Sequence, residues 1–363
     1  MQQQKTRRQF VKQTAITMAG MALLSPSKIF AQPKSIKIAI YAPSHCALPA
    51  VHAFHDELLK KNGVNAELVY CKGMPDILQK LVTGDVDFAQ LMSPMVFRMH
   101  FGKMKLPQTQ LAVLQVLGTN GGVLGISTKA RINKVQDLAG KRIGVHSPLM
   151  IHNIILMLML EKYGIDQKKI HILTIPMNQI KDAIVQEKID GFILPEPLPT
   201  FMEAQHVVKS LLLTRMFWQN HPCCLLTAKK TFFEKNQQLT QDVSRAIMIS
   251  GLELDNIVYR KQSIEKVHTY STPYKDIPLE LLQKAFMSRR SDFFPYPFLS
   301  AGYVIVEQMK KSGLLPETIH SQSTVQDIFQ ADFAMNIIKQ AALKVPGTSV
   351  PSQTERKETF QII

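Results

Sequence analysis

Strand-like and helix-like segments alternate along most of this chain, and the alternation limits the folds that it can adopt. The first of these segments, strand and helix in turn, are residues 36–41, 50–62, 66–70, 74–82 and 86–91. Gly63 and Gly84 lie at the ends of the two helix patterns, where glycine commonly stops a helix. Strands joined by helices form mostly parallel sheets with helices packed on them, so the pattern predicts an α/β fold.

A second unit of the same kind follows the first. Its segments are the strand 122–127, the turn and strand 135–145, the helix 149–163, the strand 170–175, the helix 177–186 and the strand 189–194. Residues 224–227 then have the pattern of a strand that returns to the first unit, and residues 240–341 are mostly helical. We therefore predict that the chain leaves its first unit near Ser127 and returns to it near Leu226.

Two such crossings divide the chain into two lobes. Lobe 1 is predicted to combine residues 32–127 with residues 226–344, and lobe 2 to contain residues 128–225. Ligand sites in open α/β sheets lie beyond the carboxyl ends of the strands, so facing lobes would enclose a cleft that closes about a two-strand hinge. The polar tail, residues 345–363, contains two prolines, and we expect it to be disordered.

The first 31 residues have the pattern of an export signal. A basic start precedes a short apolar core at residues 15–24, and Ala31 is a small residue suited to cleavage. Arg7-Arg8 and the Gln-Phe-Val-Lys that follows resemble the twin-arginine signal, which exports folded proteins across the bacterial inner membrane. We predict a periplasmic protein, exported by the twin-arginine machinery and cleaved near Ala31. An uncleaved membrane anchor is the alternative, although the core is about half as long as a spanning helix needs.

The net charge of +15 at pH 7 does not indicate a nucleic-acid-binding protein. The lysines are spread in pairs along the chain instead of forming a run, as at Lys60-Lys61, Lys168-Lys169, Lys229-Lys230 and Lys310-Lys311. The predicted export also removes the chain from nucleic acid, which we exclude as a partner. The positive charge would at most help to attract a small anion.

The four cysteines are Cys46, Cys71, Cys223 and Cys224, and none of them forms a C-x-x-C pair. The usual zinc and dithiol spacings are therefore missing. Cys46 follows the first predicted strand and Cys71 ends the second, so parallel neighbouring strands would bring both to one end of the sheet. A Cys46–Cys71 disulfide is one expectation, because the periplasm permits disulfides, and free buried thiols are the other.

Five short motifs occur in a fixed order along the two units. They are residues 73–89 (GMPDILQKLVTGDVDFA), 91–95 (LMSPM), 137–145 (DLAGKRIGV), 151–156 (IHNIIL) and 190–197 (DGFILPEP). Over residues 36–260 the chain resembles the periplasmic substrate-binding proteins of ABC importers with type II topology, most closely the nitrate-, bicarbonate- and sulfonate-binding group. The resemblance implies two α/β lobes with mixed sheets. It also implies capture of a small anion or related solute, which a permease and an ATPase in the inner membrane would receive.

The resemblance also implies a set of ligand-binding residues. His152 matches the histidine that contacts the ligand in nitrate- and bicarbonate-binding members, and Ser147 lies before its helix, where free N–H groups favour an anion. The full predicted set is His45, Met92, Ser93, Asn120, Gly121, Ser147, His152, Glu196 and Cys224, with no catalytic residue, metal or cofactor. As alternatives, His152 is a core or surface histidine, Glu196 is a structural carboxylate, and Gly121 belongs to a turn.

Two replacements distinguish this chain from the nitrate- and bicarbonate-binding members. Gly122 stands where they carry a glutamine, and Cys224 stands where they carry a lysine. An anion buried without its charged partner is strongly destabilised, so we expect a larger or a neutral ligand. Thiols of Cys223 and Cys224, together with His45, Cys46, Met92 and His152, could hold a soft metal, but no ligand spacing in the sequence supports such a site.

The sequence leaves two other functions open. One is an enzyme on the same fold, such as the pyrimidine synthases of thiamine biosynthesis, in which histidine and cysteine matter. The predicted export signal argues against it, and the chain contains none of the G-x-S-x-G, P-loop or H-E-x-x-H motifs. The other is a ligand-sensing partner of a membrane signalling protein.

Overall fold

The structure, a computed structural model, describes residues 35–287 and 290–362. The predicted twin-arginine signal and its cleavage site at Ala31 lie outside these residues. Eleven strands are described: β1 (Ile36–Ile40), β2 (Ala66–Tyr70), β3 (Phe88–Met92), β4 (Leu111–Asn120), β5 (Gly122–Ser127), β6 (Arg142–Val145), β7 (His171–Thr174), β8 (Gly191–Pro195), β9 (Val208–Leu213), β10 (Pro222–Lys229) and β11 (Ser291–Asp292).

The strands form two mixed sheets, which confirms the predicted α/β fold with mixed sheets. Sheet A has the order β11-β4-β10-β3-β1-β2, and sheet B has the order β7-β6-β8-β5-β9. In sheet A, β1 is parallel to β2 and β3, whereas β10 is antiparallel to β3 and β4. In sheet B, β6 is parallel to β7 and β8, whereas β5 is antiparallel to β8 and β9. In both sheets the strands that arrive from the other sheet, β5 and β10, are antiparallel to their neighbours.

Helices cover both sheets. The helices with regular α geometry are α1 (Leu48–His55), α2 (Leu58–Lys61), α3 (Met74–Thr83), α4 (Ser93–His100), α5 (Ile151–Lys162), α6 (Ile180–Val185), α7 (Leu198–Ala204), α8 (Thr214–Phe217), α9 (Lys230–Lys235), α10 (Gln237–Asp255), α11 (Ile257–Tyr270), α12 (Thr272–Lys275), α13 (Leu279–Phe286), α14 (Leu299–Lys311), α15 (Ser321–Ile328) and α16 (Ala331–Ala342). Among the described residues no helix combines the length and the apolar composition that crossing a membrane requires.

The chain crosses from one sheet to the other slightly earlier than the sequence suggested. Gly121 separates β4 of sheet A from β5 of sheet B, so residues 122–127 belong to the second sheet and not to the end of the first. The return occurs between the end of β9 and Pro222, before the predicted Leu226. Both shifts arise because the crossing strands pair along their whole length with the sheet that receives them. The lobe bounds themselves stay a prediction.

Helix α5 lies between the two sheets. Its residues from Ile151 to Leu160 are all buried, because the helix packs against β8 of sheet B on one side and against β10 and α14 on the other. A helix that is apolar around its whole circumference requires such a two-sided environment. The motif that carries His152 is therefore a core element at the junction of the two sheets.

The C-terminal tail is ordered, so the prediction of a disordered tail is wrong. Phe360 packs on the indole ring of Trp218 with ring centroids 5.5 Å apart. Trp218 Nε1 also donates a hydrogen bond of 2.7 Å to Glu358. The tail covers the buried tryptophan of the segment that returns to sheet A, and this packing offsets the entropy lost on ordering a polar sequence.

Candidate functional site

A cavity of about 420 Å³ opens at the ends of both sheets. The part next to sheet A is lined by residues after β1 and β2, on β3 and at the start of β10: Tyr41, Ser44, His45, Cys46, Lys72, Gly73, Met74, Gln90, Met92, Cys223 and Cys224. The part next to sheet B is lined by residues after β6 and β7 and at the end of β8: His146, Pro176, Met177, Asn178 and Pro195. The parallel strands of both sheets thus end at one cavity, the usual position of a ligand site in this class of fold.

The loop after β1 is held rigidly beside the cavity. The buried Tyr274 hydroxyl donates a hydrogen bond of 2.7 Å to the carbonyl of Ser44 and accepts one of 3.2 Å from its amide. Burial raises the pKa of Tyr274, so this hydroxyl keeps its proton. The Ser44 side chain caps the short 3₁₀ helix His45–Ala47 by accepting from the amide of Ala47. The loop therefore presents His45 and Cys46 to the cavity in a fixed conformation.

Gln90 belongs to the site although the sequence analysis did not select it. It is a fully buried amide in the middle of the otherwise apolar strand β3. Its Oε1 accepts from the amide of Tyr41 at 3.1 Å, and its Nε2 lies 3.6 Å from Cys224 Sγ. A lone polar residue in a buried apolar strand was the signal that could have revealed it, because such a group needs buried partners.

Three residues of the predicted ligand-binding set line the cavity: His45, Met92 and Cys224. The other six, which lie outside its lining, are Ser93, Asn120, Gly121, Ser147, His152 and Glu196. Lys72, His146, Met177 and Asn178 line the cavity and were not in the set. Each of them lies within four residues of the end of a strand, so its position beyond a strand end was the available signal.

The polar atoms of Asn120 form structural bonds near the hinge. Its side-chain amide donates 2.6 Å to Asp292 Oδ2, and its Oδ1 accepts 2.8 Å from the amide of Asn220. Gly121 follows with a φ of 71°, and its backbone bonds to Arg290 and Glu196 on either side. An added Cβ on Gly121 would lie 2.3 Å from His45 Nε2, so only glycine permits both this conformation and this close approach.

The contacts of Glu196 fit the structural carboxylate that the sequence left as an alternative. It is fully buried at the end of β8, and its Oε1 accepts 2.6 Å from Arg290 Nε. Its other oxygen accepts 3.2 Å from the amide of Thr200. Burial raises the pKa of Glu196 to about 7, although the positive charge of Arg290 opposes the rise. Arg290 also pairs with Glu203 at 3.2 Å, so these charges bind sheet B to the segment before β11.

His152 is a buried neutral histidine beside the crossing strand. Neither of its ring nitrogens has a hydrogen-bond partner in the part of the chain that the structure describes. Burial lowers the pKa of His152 well below its usual range, and the nearby His221 and His45 lower it further. Burial likewise lowers the pKa of His221 to about 3. These imidazoles therefore supply no positive charge for an anion near neutral pH.

The two predicted serines lie close to the cavity but do not line it. Ser93 begins α4 and is fully buried, with no partner for its hydroxyl among the described residues. Ser147 Oγ accepts a hydrogen bond of 3.2 Å from the amide of Leu149 in the turn before α5. The hydroxyl of Ser147 is thus used to shape the turn that leads into the buried helix.

The replacement at position 122 has a steric reason. A Cβ built on Gly122 would lie 2.7 Å from the His152 ring and 2.8 Å from the side chain of Thr214. The Thr214 hydroxyl also bonds to the backbone of Gly122 and lies 2.8 Å from His221 Nε2. The space that a glutamine would require at this position is therefore filled by His152 and Thr214.

The four cysteines are free and buried, which agrees with the second of the two alternatives that the sequence left open and not with a Cys46–Cys71 disulfide. The Cys71 thiol instead donates to the carbonyl of Val69 at 3.5 Å. Cys46 lies with His45 and Cys223, and the three ligand atoms of this group are all within 4.8 Å of one another. Burial raises the pKa of the Cys46 thiol, whereas the Cys223 and Cys46 thiols lower the pKa of Cys224 by donating to its sulfur.

The chain has the same fold as periplasmic binding proteins of known structure. Residues 31–267 match the NMT1-like family. The nitrate/nitrite binding protein NrtA of a Nostoc species is 22% identical over 359 residues, which cover 88% of this chain and 80% of that protein. The crystal structure of the periplasmic nitrate-binding protein NrtA from Synechocystis PCC 6803 superposes with a TM-score of 0.77 at 17% identity, covering 90% of this chain and 93% of that one.

A sulfonate-binding relative has the same fold. The structure described as a putative periplasmic sulfonate-binding protein SsuA from Methylobacillus flagellatus gives a TM-score of 0.66 at 21% identity. The match covers 86% of this chain and 96% of that one. At these identities the likeness extends to the fold, and the residues around the cavity have to be interpreted from their own chemistry.

Proposed function

Since this chain belongs to the NMT1-like family, we propose that it is the solute-binding component of an ABC importer. It would hold a small solute between its lobes in the periplasm and deliver it to a permease and an ATPase in the inner membrane. The single observation that carries the proposal is the cavity of about 420 Å³, which residues of both sheets line at their strand ends. The relatives are named for binding nitrate or a sulfonate, which supports a small anion as the solute.

Lobe closure is the proposed mechanism. The chain passes between the sheets at Gly121 and again before Pro222, and rotation about these two connections would bring His146 and Met177 towards the loop after β1. A ligand that contacts both sides binds the closed form more tightly and so shifts the population towards it. No covalent step is needed, and we propose binding without turnover.

The lining favours a small organic anion over nitrate. The methionines Met74, Met92 and Met177 offer an apolar surface, which nitrate cannot use. The exposed Lys72 stands at the cavity, in the loop after β2, and could pair with a sulfonate or carboxylate at the entrance. A solute with an apolar body and one anionic group matches this distribution better than an inorganic anion held by a buried cation.

Folded export fits this proposal. A cleft that contains free cysteines would be assembled in the reducing cytoplasm and would cross the membrane already folded. We therefore propose that the twin-arginine machinery exports the chain and that cleavage near Ala31 releases it. Replacement of Arg7-Arg8 by a lysine pair should then keep the precursor in the cytoplasm, and unchanged export would leave only a general secretion signal.

A thermal-shift screen of the mature protein tests the binding proposal. The panel would contain short alkanesulfonates and alkanoates, nitrate, bicarbonate and a pyrimidine. A ligand present at 100 times its Kd stabilises the folded state by about 2.7 kcal/mol, so a true ligand gives a clear rise in Tm. A shift with an organic anion supports the proposal. A panel without any shift, together with consumption of the pyrimidine, would instead favour an enzyme.

Lys72→Gln tests the position of the anionic group. We expect the variant to bind an organic anion about five- to tenfold more weakly, as for a partly exposed ion pair of roughly 1 kcal/mol, with unchanged stability. Lys105→Gln is the matched control, since Lys105 is an exposed lysine outside the cavity lining. Equal affinities of the two variants would remove Lys72 from the binding site.

A further inference from the structure

A compact group of sulfur and nitrogen donors forms the floor of the cavity next to sheet A. His45 Nε2 lies 3.3 Å from Cys46 Sγ, and Cys223 Sγ completes a triangle in which no two ligand atoms are more than 4.8 Å apart. All three side chains are at most 1% exposed, yet each of them contributes to the cavity lining. We call this group the thiol–imidazole cluster.

Two glycines allow the backbone to pass close to the thiol–imidazole cluster. A Cβ on Gly118 of β4 would lie 2.9 Å from both Cys46 Sγ and His45 Cδ2. Gly121 permits the same close approach on the other side of the imidazole. Glycine thus occupies the two positions that flank the cluster, Gly118 within β4 and Gly121 directly after it. The capped loop Ser44–Ala47 holds the donors beside them.

The cluster leaves hydrogen-bonding capacity unused. His45 is fully buried, and its Nδ1 has no hydrogen-bond partner among the described residues. Buried polar groups normally have a partner, because an unpartnered one costs the free energy of its lost hydration. Around Cys46 the structure offers two further sulfurs, Cys223 and Cys224, and no carboxylate belongs to the cluster. This composition matches the preference of a soft cation and not that of calcium or magnesium.

We propose that the thiol–imidazole cluster binds one thiophilic metal ion, of the class of Zn²⁺ or Cu⁺, through Cys46, Cys223 and a ring nitrogen of His45. A Zn–S bond is about 2.3 Å long, so one ion can reach donors that are separated by roughly twice that distance. Three protein ligands would leave a fourth position, and all three ligand residues line the cavity. In zinc proteins an open position of this kind accepts water or a small ligand.

Coordination by thiolates has a definite proton balance. A divalent ion displaces the protons of the Cys46 and Cys223 thiols, which pass to solvent, so the ion and its two thiolates are neutral together. No oxidant or reductant takes part.

Metal binding at the thiol–imidazole cluster does not depend on the proposed transport function, because it requires only the three donor side chains. The test uses the mature protein, kept reduced, freed of metal with a chelator and titrated with Co²⁺. We expect one equivalent of tightly bound Co²⁺ with the intense near-ultraviolet absorption of a thiolate-to-cobalt transition, and we expect Zn²⁺ to displace it. This measurement on the wild-type chain needs no variant to fold.

Variants then assign the ligands. Cys46→Ser and Cys223→Ser should each weaken Zn²⁺ binding more than about 100-fold, beyond the effect of changing a residue that only orients a ligand. Cys71→Ser is the matched control, because Cys71 is also a buried free cysteine but lies outside the cluster, and it should bind Zn²⁺ like the wild type. Circular dichroism would establish that each variant is folded.

Three results would overturn the proposal. The first is that the reduced wild-type protein takes up no Co²⁺ or binds it without thiolate absorption. The second is that folded Cys46→Ser and Cys223→Ser proteins both keep wild-type affinity for Zn²⁺. The third is that the exported protein carries a Cys46–Cys223 disulfide, because the same two sulfurs would then be unavailable to a metal. Solute binding can be measured separately in each case. A negative result for metal binding therefore does not decide the transport proposal, which the thermal-shift screen tests.

Discussion

Glu196→Gln should change the pH dependence of stability in a specific direction. Glu196 is fully buried, and its pKa in the folded chain is about 7 against 4.5 for an ordinary glutamate. Burial raises the value more than Arg290 and the Thr200 amide lower it. Glutamine has the shape of the protonated glutamate and keeps an oxygen for the Thr200 amide, but it cannot release a proton.

The magnitude follows from the two pKa values. Between pH 4.5 and pH 7 the folded state holds a proton that the unfolded state has lost, so the free energy of unfolding decreases as the pH rises. The contribution is complete below pH 4.5 and is lost as the pH passes through 7. At 1.36 kcal/mol per pKa unit, the separation corresponds to roughly 3 kcal/mol. The difference in stability between the wild type and Glu196→Gln should therefore fall by about this amount across that range.

Urea unfolding at a series of pH values measures this difference directly. The contributions of the buried histidines are the same in both proteins and therefore cancel in the comparison. Glu317→Gln is the matched control, since Glu317 is exposed and its curve should run parallel to that of the wild type. Parallel curves for the wild type and Glu196→Gln would refute the reasoning. Such a result would mean that Arg290 keeps Glu196 ionised in the folded chain at every pH tested.

Two further substitutions test the hinge and the tail. Gly121→Ala should destabilise the fold by roughly 2–4 kcal/mol in urea unfolding, because the added methyl group meets a left-handed backbone and overlaps His45. Gly140→Ala is the control and should cost only about 1 kcal/mol, because Gly140 has a φ of 77° but open space around it. Equal losses of stability in the two variants would contradict the overlap with His45. Phe360→Ala should lower the free energy of unfolding by about 2 kcal/mol and shift the fluorescence of the single tryptophan, Trp218, to longer wavelength. An unchanged emission spectrum would mean that the tail does not cover the indole ring in solution.

The sequence predicted the fold well because its signals are local and repeated. Helix α3 lies within one turn of its predicted position, since Pro75 and Gly84 mark its two ends. Sheet membership was harder to predict. The pattern of residues 122–127 identifies a strand but not its neighbours, and only pairing with β8 and β9 assigns it to sheet B. The order of Phe360 was also hidden, because it depends on a tryptophan far away in the sequence.

The cavity was predicted only in part, for a related reason. A motif shared with other proteins identifies a helix or a strand end, but it does not say which atoms of that element remain free. Glu196 and Asn120 are close to the hinge, as expected, yet their polar atoms are taken by Arg290 and Asp292. Gln90 was overlooked because it lies inside a strand whose other residues are apolar core.

The two replacements lie in different places, since Cys224 lines the cavity and Gly122 lies outside its lining. Gly122 admits His152 and Thr214 into the space of a glutamine, and Cys224 puts a sulfur where the resemblance implies a lysine. On the resemblance, each change removes one donor to an anion, and the floor next to sheet A keeps the His45 imidazole and the cysteine thiols. A solute could then be anchored by the charge of Lys72 at the entrance or by the open coordination position of a metal ion on the thiol–imidazole cluster. The combined effect of Lys72→Gln and metal removal on affinity will distinguish one anchoring point from two.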